Sequence, residues 1–538
     1  MKKKKILCVC LIIAMLASFA ACSSTDNGKA SDEKVVLNVH MNGDPVAIDP
    51  AFAYDNASSL VVNQITESLL THNPDNTLKP NLCKSFEATD PCTYVYQIRD
   101  DVTFSDGTPM TMDDVIYSIQ RHLDADLGSY MNWFFANVTS VEATGEWEMT
   151  IKLAEPQATW QYVLATSAGM IVQKKFCEEH AGDVGTASVG IIGTGPFVFE
   201  KWENGSKVIL KKNENYWDKT AKTNVDEIIF SIISDDTTIA TALKSGQVDF
   251  SWDFSSKLVE TIQGFENVEL KSWSGMGIEY LAFNNMRKPF DEVNVRKAIA
   301  YAIDLDSIFD NVIKDSGIKG DLLPMTDSLF TIEADRWKQY VAEHGGHVYD
   351  LDKAKEYLAA SSVPNGFDFT MYVSQARSQA YDVALVIQQN LKALNINAEI
   401  VTLTQDEVYA YQFGNILDAD GIRDYDCLVT TWGADYPDPS ANLDPLFNIA
   451  NIGAGGYNCA AYSNEEVDSL LNKAVTTTDE SERMDLLFRA CDIIVADEPY
   501  YVYNYTKGFA AFNKNWTLGD MNITCAWDWN FKDVVYNG

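Results

Sequence analysis

The chain has 538 residues, and 77 acidic side chains against 41 Lys and Arg leave a net charge of −36. That balance argues against a nucleic-acid or anionic-lipid surface, because gripping phosphates draws on clustered Lys and Arg to release counterions. With 46% hydrophobic and 12% aromatic residues the composition is globular and not disordered, and the length suits roughly three domains.

In chain order, Lys2 to Lys5 form a positive stretch, followed by an apolar run from Ile6 to Ala21 and the polar SSTDNGKASDEK after Cys22. The run is short beside the roughly 20 residues of a spanning helix and ends in small residues, as a secretory signal does. The sequence FAAC resembles the lipobox of bacterial lipoproteins, with Phe19 in place of the usual Leu. The resemblance implies that Cys22 is lipidated and becomes the new N-terminus; an ordinary secretory signal or an uncleaved anchor is the alternative.

Val35 to His40 reads as a strand, and Asp55 opens a helix with Val61, Ile65 and Leu69 at four-residue intervals. A β-rich stretch follows, with strands at Tyr94 to Ile98 and Trp147 to Leu153 and a helix from Asp113 to about His122 between them. Gly193-Thr194-Gly195-Pro196 lacks the Lys of a phosphate loop and reads as a turn that admits close backbone approach. It precedes a hairpin, Phe197 to Trp202 with Lys207 to Lys212, across Asn204-Gly205. From Asp291, expected to cap a helix carrying Val295, Ala298, Ile299 and Ala302 on one face, the pattern shifts to longer helices, including Tyr381 to Leu394. Arg296 and Asp304 are expected to be solvated or locally paired.

Of ten Cys, seven remain outside the signal and Cys22, an odd number that cannot all pair within one chain. Cys83 and Cys92 are close enough in sequence to clip a hairpin, while Cys177, Cys427, Cys459, Cys491 and Cys525 sit among apolar residues; mostly reduced, buried thiols are expected.

Four stretches together resemble one family, the solute-binding proteins of ABC importers that include the oligopeptide- and dipeptide-binding proteins. They are IRDDVTFSDGTPMTMDDVIYSIQR (Ile98 to Arg121), GTGPFVFEKWENGSKVILKKNENYWD (Gly193 to Asp218), LAFNNMRKPFDEVNVRKAIAYAID (Leu281 to Asp304) and TWGADYPDP (Thr431 to Pro439). The resemblance spans essentially the whole chain after the signal. It implies an α/β, type II periplasmic-binding-protein-like fold with two ligand-clasping lobes joined by a hinge and an extra β-rich lobe. By analogy the chain divides into a signal peptide (1–21), a tether (22–34), lobe I in three pieces (35–77, 189–283 and 501–538), a β-rich lobe II (78–188) and lobe III (284–500). It further implies a lipid-anchored extracytoplasmic receptor, monomeric and without cofactor or metal, that passes peptides to importer permease subunits. The same receptor class for an oligosaccharide, heme or metal chelate is the alternative.

Asp426 to Thr431 reads as a buried strand running into a Gly/Pro/Asp-rich loop, which places Trp432 and Asp435 at a strand exit, where crevices of α/β sheets form. On the residues alone, Asp435 is a turn former ahead of Pro437 or a ligand group. The resemblance implies that it receives a peptide's α-ammonium group, with Trp432 as a wall of the cavity and Gly433 leaving room for ligand backbone. Asp438 is expected in a solvated turn. Some relatives hold the ligand carboxylate with an Arg just before this Trp, where the chain has Thr430. Arg377 is the candidate instead, for its bidentate fork, with an exposed helix-start arginine as the alternative. Tyr500, Tyr501 and Tyr503 alternate along a strand, one face core and one face, with Tyr503, assigned to ligand.

Among enzymes, the six His include no HExxH pair, and neither a GxSxG elbow nor a GxxxxGK[ST] loop occurs. A glycosidase needs only two carboxylates and no short motif, so it stays open as the enzymatic alternative.

Overall fold

The computed structural model describes residues 34–419, 421–453, 455–519 and 529–538. The signal, Cys22, most of the tether and Cys525 lie outside the described residues. Among the described residues no helix is long and apolar enough to cross a membrane.

The VVLNVH stretch forms the strand Val36–Met41, parallel to Glu227–Ile232. Asp55 caps the helix Asn56–Ile65 by accepting a hydrogen bond from the Ser58 N–H, which satisfies one donor of the first turn. The hairpin at Asn204-Gly205 pairs Phe197–Glu203 with Lys207–Lys212, and Gly205 takes the positive φ, 72°, that a tight reversal requires. These strands extend into an eleven-stranded sheet. Its other wing carries the parallel strands Asp368–Ser374, Asn397–Leu403 and Cys427–Gly433.

Two long antiparallel strands, Val268–Phe283 and Tyr500–Asn513, run side by side through the middle of the sheet and serve both wings. Their ladder is interrupted between Ser274 and Ile278, then resumes in another register. On the far side of that break both faces are covered. Ile278, Tyr280, Leu428, Tyr500 and Val502 enter one core, while Leu281, Phe283, Val429, Tyr501 and Tyr503 enter the other. Burial on both faces explains why Cys427–Val429 reads as a continuous apolar run with no polar alternation.

Between the helix Asn56–Ile65 and the hairpin, the chain builds a separate four-stranded antiparallel sheet in the order Cys83–Asp90, Thr93–Ile98, Glu148–Leu153, Val138–Gly145. It has its own core around Tyr96, Phe104, Phe135, Ile151 and Trp160. The helix Met112–Gln120 packs beside it, closed by a capping box between Thr111 and Asp114. The glycines of the GTGP turn are there for close approach: an added Cβ would lie 2.3 Å from the Ile65 carbonyl oxygen at Gly193 and 2.5 Å from that of Gln64 at Gly195. Thr194 between them donates to Glu67, which also accepts from Tyr216 and Trp217. The GTGP and NYW ends of the stretch Gly193 to Asp218 thus meet on a single buried carboxylate.

Three expectations change. Asp291 does not cap its helix: Val293–Ala302 begins after Glu292, with no side-chain cap bond, and Asp291 is exposed. Arg296 is buried, not solvated, and its guanidinium donates to the backbone carbonyls of Phe290, Asp497 and Glu498. Its charge is spread over main-chain acceptors that would otherwise be stranded. Cys83 and Cys92 do not clip their hairpin, because Cys83 pairs with Ile98 at one end of the ladder and Cys92 lies at the turn. Both are free thiols, as are the buried Cys177, Cys427, Cys459 and Cys491.

Candidate functional site

The strand Cys427–Gly433 delivers the TWGADYPDP segment to the sheet edge where the parallel strand Asp368–Ser374 also ends. Trp432 is half-buried and fixed by its indole N–H, which donates to the Ala441 carbonyl at 2.9 Å. Gly433 is exposed, and a Cβ built there meets nothing within 4 Å, so open space borders the backbone at this point.

Asp435 is half-buried and accepts a 2.7 Å hydrogen bond from the Tyr54 hydroxyl, contributed by the segment ahead of the helix Asn56–Ile65. Burial pushes its carboxyl up to about 6, against the opposing pull of the Tyr54 hydrogen bond. The next residue, Tyr436, stacks on Tyr162 of the β-rich portion, with ring centroids 5.6 Å apart and planes at 9°. Consecutive residues of one loop therefore touch two other parts of the chain.

Arg377 stands at the start of the helix Ser378–Leu391, just past the end of the strand Asp368–Ser374. It is half-buried and, among the described residues, makes no salt bridge and no side-chain hydrogen bond. A cation at a helix N-terminus faces the positive end of the dipole, so an anion placed there is favoured by both. Its charge reaches Glu279, Tyr457 and Tyr503. Burial raises the Glu279 carboxyl, with the 2.9 Å hydrogen bond from Asn504 and the Arg377 charge opposing. Past Arg377, Gln379 accepts from Ser256 at 3.0 Å. Residues 54, 162 and 256 thus meet residues 435, 436 and 379, which follow the ends of the strands Cys427–Gly433 and Asp368–Ser374.

Tyr503 lies elsewhere than expected. It is 1% exposed and shares a core with Tyr501. Both faces of the strand are covered here, Tyr500 and Val502 in one core and Tyr501 and Tyr503 in the other, so Tyr503 is core.

Asp438 is not in a solvated turn. It is 2% exposed and receives both terminal nitrogens of buried Arg483, at 2.9 and 2.7 Å, together with the Ser440 hydroxyl and N–H. Burial, the largest single influence, would raise its carboxyl; the Arg483 charge and the hydrogen bonds from Arg483 and Ser440 together outweigh that and hold it below the usual range. The pair anchors the loop that presents Asp435. Sequence reasoning missed Arg483 and Tyr54 because their partners are 45 and 381 residues away and no local period marks either.

Residues 77–454 match the family described as "Bacterial extracellular solute-binding proteins, family 5 Middle". A glutathione-binding protein GsiB of Shigella dysenteriae is 27% identical over 471 residues, covering 87% of this chain and 89% of the relative. Among solved structures, the periplasmic binding protein DppA of Helicobacter pylori in complex with the peptide STSA superposes with a TM-score of 0.75 at 23% identity, over 94% of this chain and 98% of that one. The substrate-binding protein CtaP of Listeria monocytogenes gives 0.81 at 20% identity, over 94% and 100%.

Removing one partner of a buried, bidentate ion pair strands the other charge, so Asp438→Ala is expected to destabilise the protein by about 3–5 kcal/mol in urea unfolding. A change within about 0.5 kcal/mol, the range of a surface substitution, would return Asp438 to the solvated turn.

Proposed function

Because the chain belongs to the bacterial extracellular solute-binding proteins of family 5, we propose that it captures short peptides in the cleft at Asp435 and hands them to the permease of an ABC importer. The observation that carries this reading is Asp435 itself, a half-buried carboxylate beside the open backbone of Gly433, tied by Tyr54 to another part of the chain. In this reading Asp435 receives the α-ammonium group, Trp432 walls the cavity, and Arg377 receives the terminal carboxylate with its unused fork. The glutathione-binding relative is consistent with a ligand of peptide size that carries charges of both signs.

The residues before and after the β-rich portion, up to the break at Ser274–Ile278, act as lobe I, and those beyond it, with Tyr500–Tyr505, as lobe III. The two crossing strands are the hinge. Closure brings Tyr54 onto Asp435 and Ser256 onto Gln379, and excludes water from the ligand's charged ends, which strengthens both ion pairs. Side chains of the peptide contribute less than its ends, so selectivity falls chiefly on length and termini.

Cys22 carries the lipid anchor in this account, since a receptor that feeds a permease works best held at the membrane, and two lipid chains suffice for stable attachment. Cys22→Ala is expected to move the protein from the membrane to the soluble extracytoplasmic fraction; retention in the membrane would make Ile6 to Ala21 an uncleaved anchor.

An ammonium ligand favours the ionised form of Asp435, whose carboxyl burial pushes up to about 6 with the Tyr54 bond in place. Peptide affinity in titration calorimetry should therefore rise with pH through about 6 and level off above it, with about tenfold lost at one pH unit below. Tyr54→Phe removes the bond that pulls the carboxyl down and should move the midpoint upward, while Asp435→Asn should abolish this pH dependence and weaken binding by about thirtyfold or more. Affinity that is flat from pH 5 to 8 in the unaltered protein would contradict the amine role.

A further inference from the structure

Beyond Trp432, away from Asp435, aromatic rings continue in contact. Tyr457 lies 4.4 Å from Trp432 between centroids, Phe413 5.4 Å from Tyr457, and Tyr409 6.1 Å from Phe413. Trp432 and Tyr457 are half-buried, Phe413 is 36% exposed and Tyr409 46% exposed. Exposure grows along the row, from the cleft outward. Tyr409 and Phe413 share one face at the end of the helix Gln405–Gln412, four residues apart, whereas Tyr411 turns to the opposite side against Tyr372 and Tyr425.

Scattered surface aromatics need no explanation, but this row is held with buried polar groups. The Tyr457 hydroxyl donates to the Thr431 carbonyl at 2.6 Å and accepts from Gln412 at 2.7 Å, so the ring cannot swing away from Trp432. Arg423, 1% exposed, donates to the carbonyls of Tyr411 and Gln412 on one segment and of Asn451, Ile452 and Gly456 on another. These are the two segments that carry Phe413 and Tyr457. Gly455 adds a 2.7 Å backbone bond to the Phe413 carbonyl. A buried guanidinium spent wholly on main-chain acceptors makes the row rigid, and a rigid apolar face loses little entropy when something stacks on it.

We propose that Trp432, Tyr457, Phe413 and Tyr409 form a side-chain subsite that selects peptides with an aromatic or large apolar residue near the amino end. The occupant follows from continuity: the row starts on the ring three residues before Asp435, so a peptide whose ammonium group sits on Asp435 extends its first side chains along it. The four rings carry no charge of their own, which suits an apolar side chain, and Arg377, whose charge reaches Tyr457, is left for the ligand's carboxylate. The subsite rests on the peptide reading and adds to it a preference that the charged ends cannot supply.

The test is calorimetry with trialanine and with the three tripeptides in which one Ala is replaced by Phe, on the full-length protein and on Phe413→Ala and Tyr409→Ala, with melting temperatures recorded for each. The quantity read is the ratio of trialanine Kd to Phe-peptide Kd. In the unaltered protein the best Phe peptide is expected to bind about fivefold or more tightly than trialanine, and the ratio should fall toward one in Phe413→Ala and partway in Tyr409→Ala. A ratio near one in the unaltered protein, or one that both variants leave unchanged, overturns the subsite while leaving peptide binding in place. Sedimentation showing a dimer that Phe413→Ala dissolves would give the face to a second copy of the chain and overturn it too. If no tripeptide binds at all, the peptide reading and the subsite fall together.

Discussion

Both wings of the molecule depend on two strands. Val268–Phe283 and Tyr500–Asn513 run through the centre of the sheet and lose their register between Ser274 and Ile278. The wing beyond the break is packed on two cores that close over both faces of the sheet. The break itself is short and small-residued: an added Cβ at Gly275 would lie 2.5 Å from Thr506, and at Gly277 2.7 Å from the Trp432 carbonyl oxygen. In the proposed reading the two wings rock about that break on the strands they share.

The same geometry places the cleft. The strand Cys427–Gly433 pairs with Val268–Phe283 right up to Gly277, opposite Gly433, so the loop that carries Asp435 leaves the sheet at the break itself. A small rotation there is greatest at the rim, where Tyr54 meets Asp435 and Tyr162 stacks on Tyr436. The loop does not yield with it, because Asp438 and Arg483 pin its far end inside the core. Asp435 can then be presented at a fixed position to whatever the opposite wall brings.

Much of this was legible in the sequence, where chemistry is local. Asp55 capping its helix, the Asn204-Gly205 hairpin, the close-approach glycines before Pro196 and the buried strand ahead of Trp432 each follow from residues within a few positions of one another. What escaped was set by partners far along the chain. Asp438 reads as a turn aspartate until Arg483 is folded against it, and Arg296 reads as a helix-end charge until the carbonyls of Asp497 and Glu498 surround it. Tyr503 reads as a cavity wall because alternation along one strand does not show that both of its faces are covered, one by each core. Arg423, Tyr457 and Phe413 gave no signal, since only the fold brings their segments together.

The central claim is that the cleft holds a peptide by its charged ends, and it can be checked without choosing a ligand in advance. Protein purified from its own host under native conditions and analysed by native mass spectrometry should release, on denaturation, peptides of two to about eight residues with free amino termini, a size set by a closing cleft that holds both ends. Release of an oligosaccharide, a heme or a metal chelate, with no peptide, would contradict it.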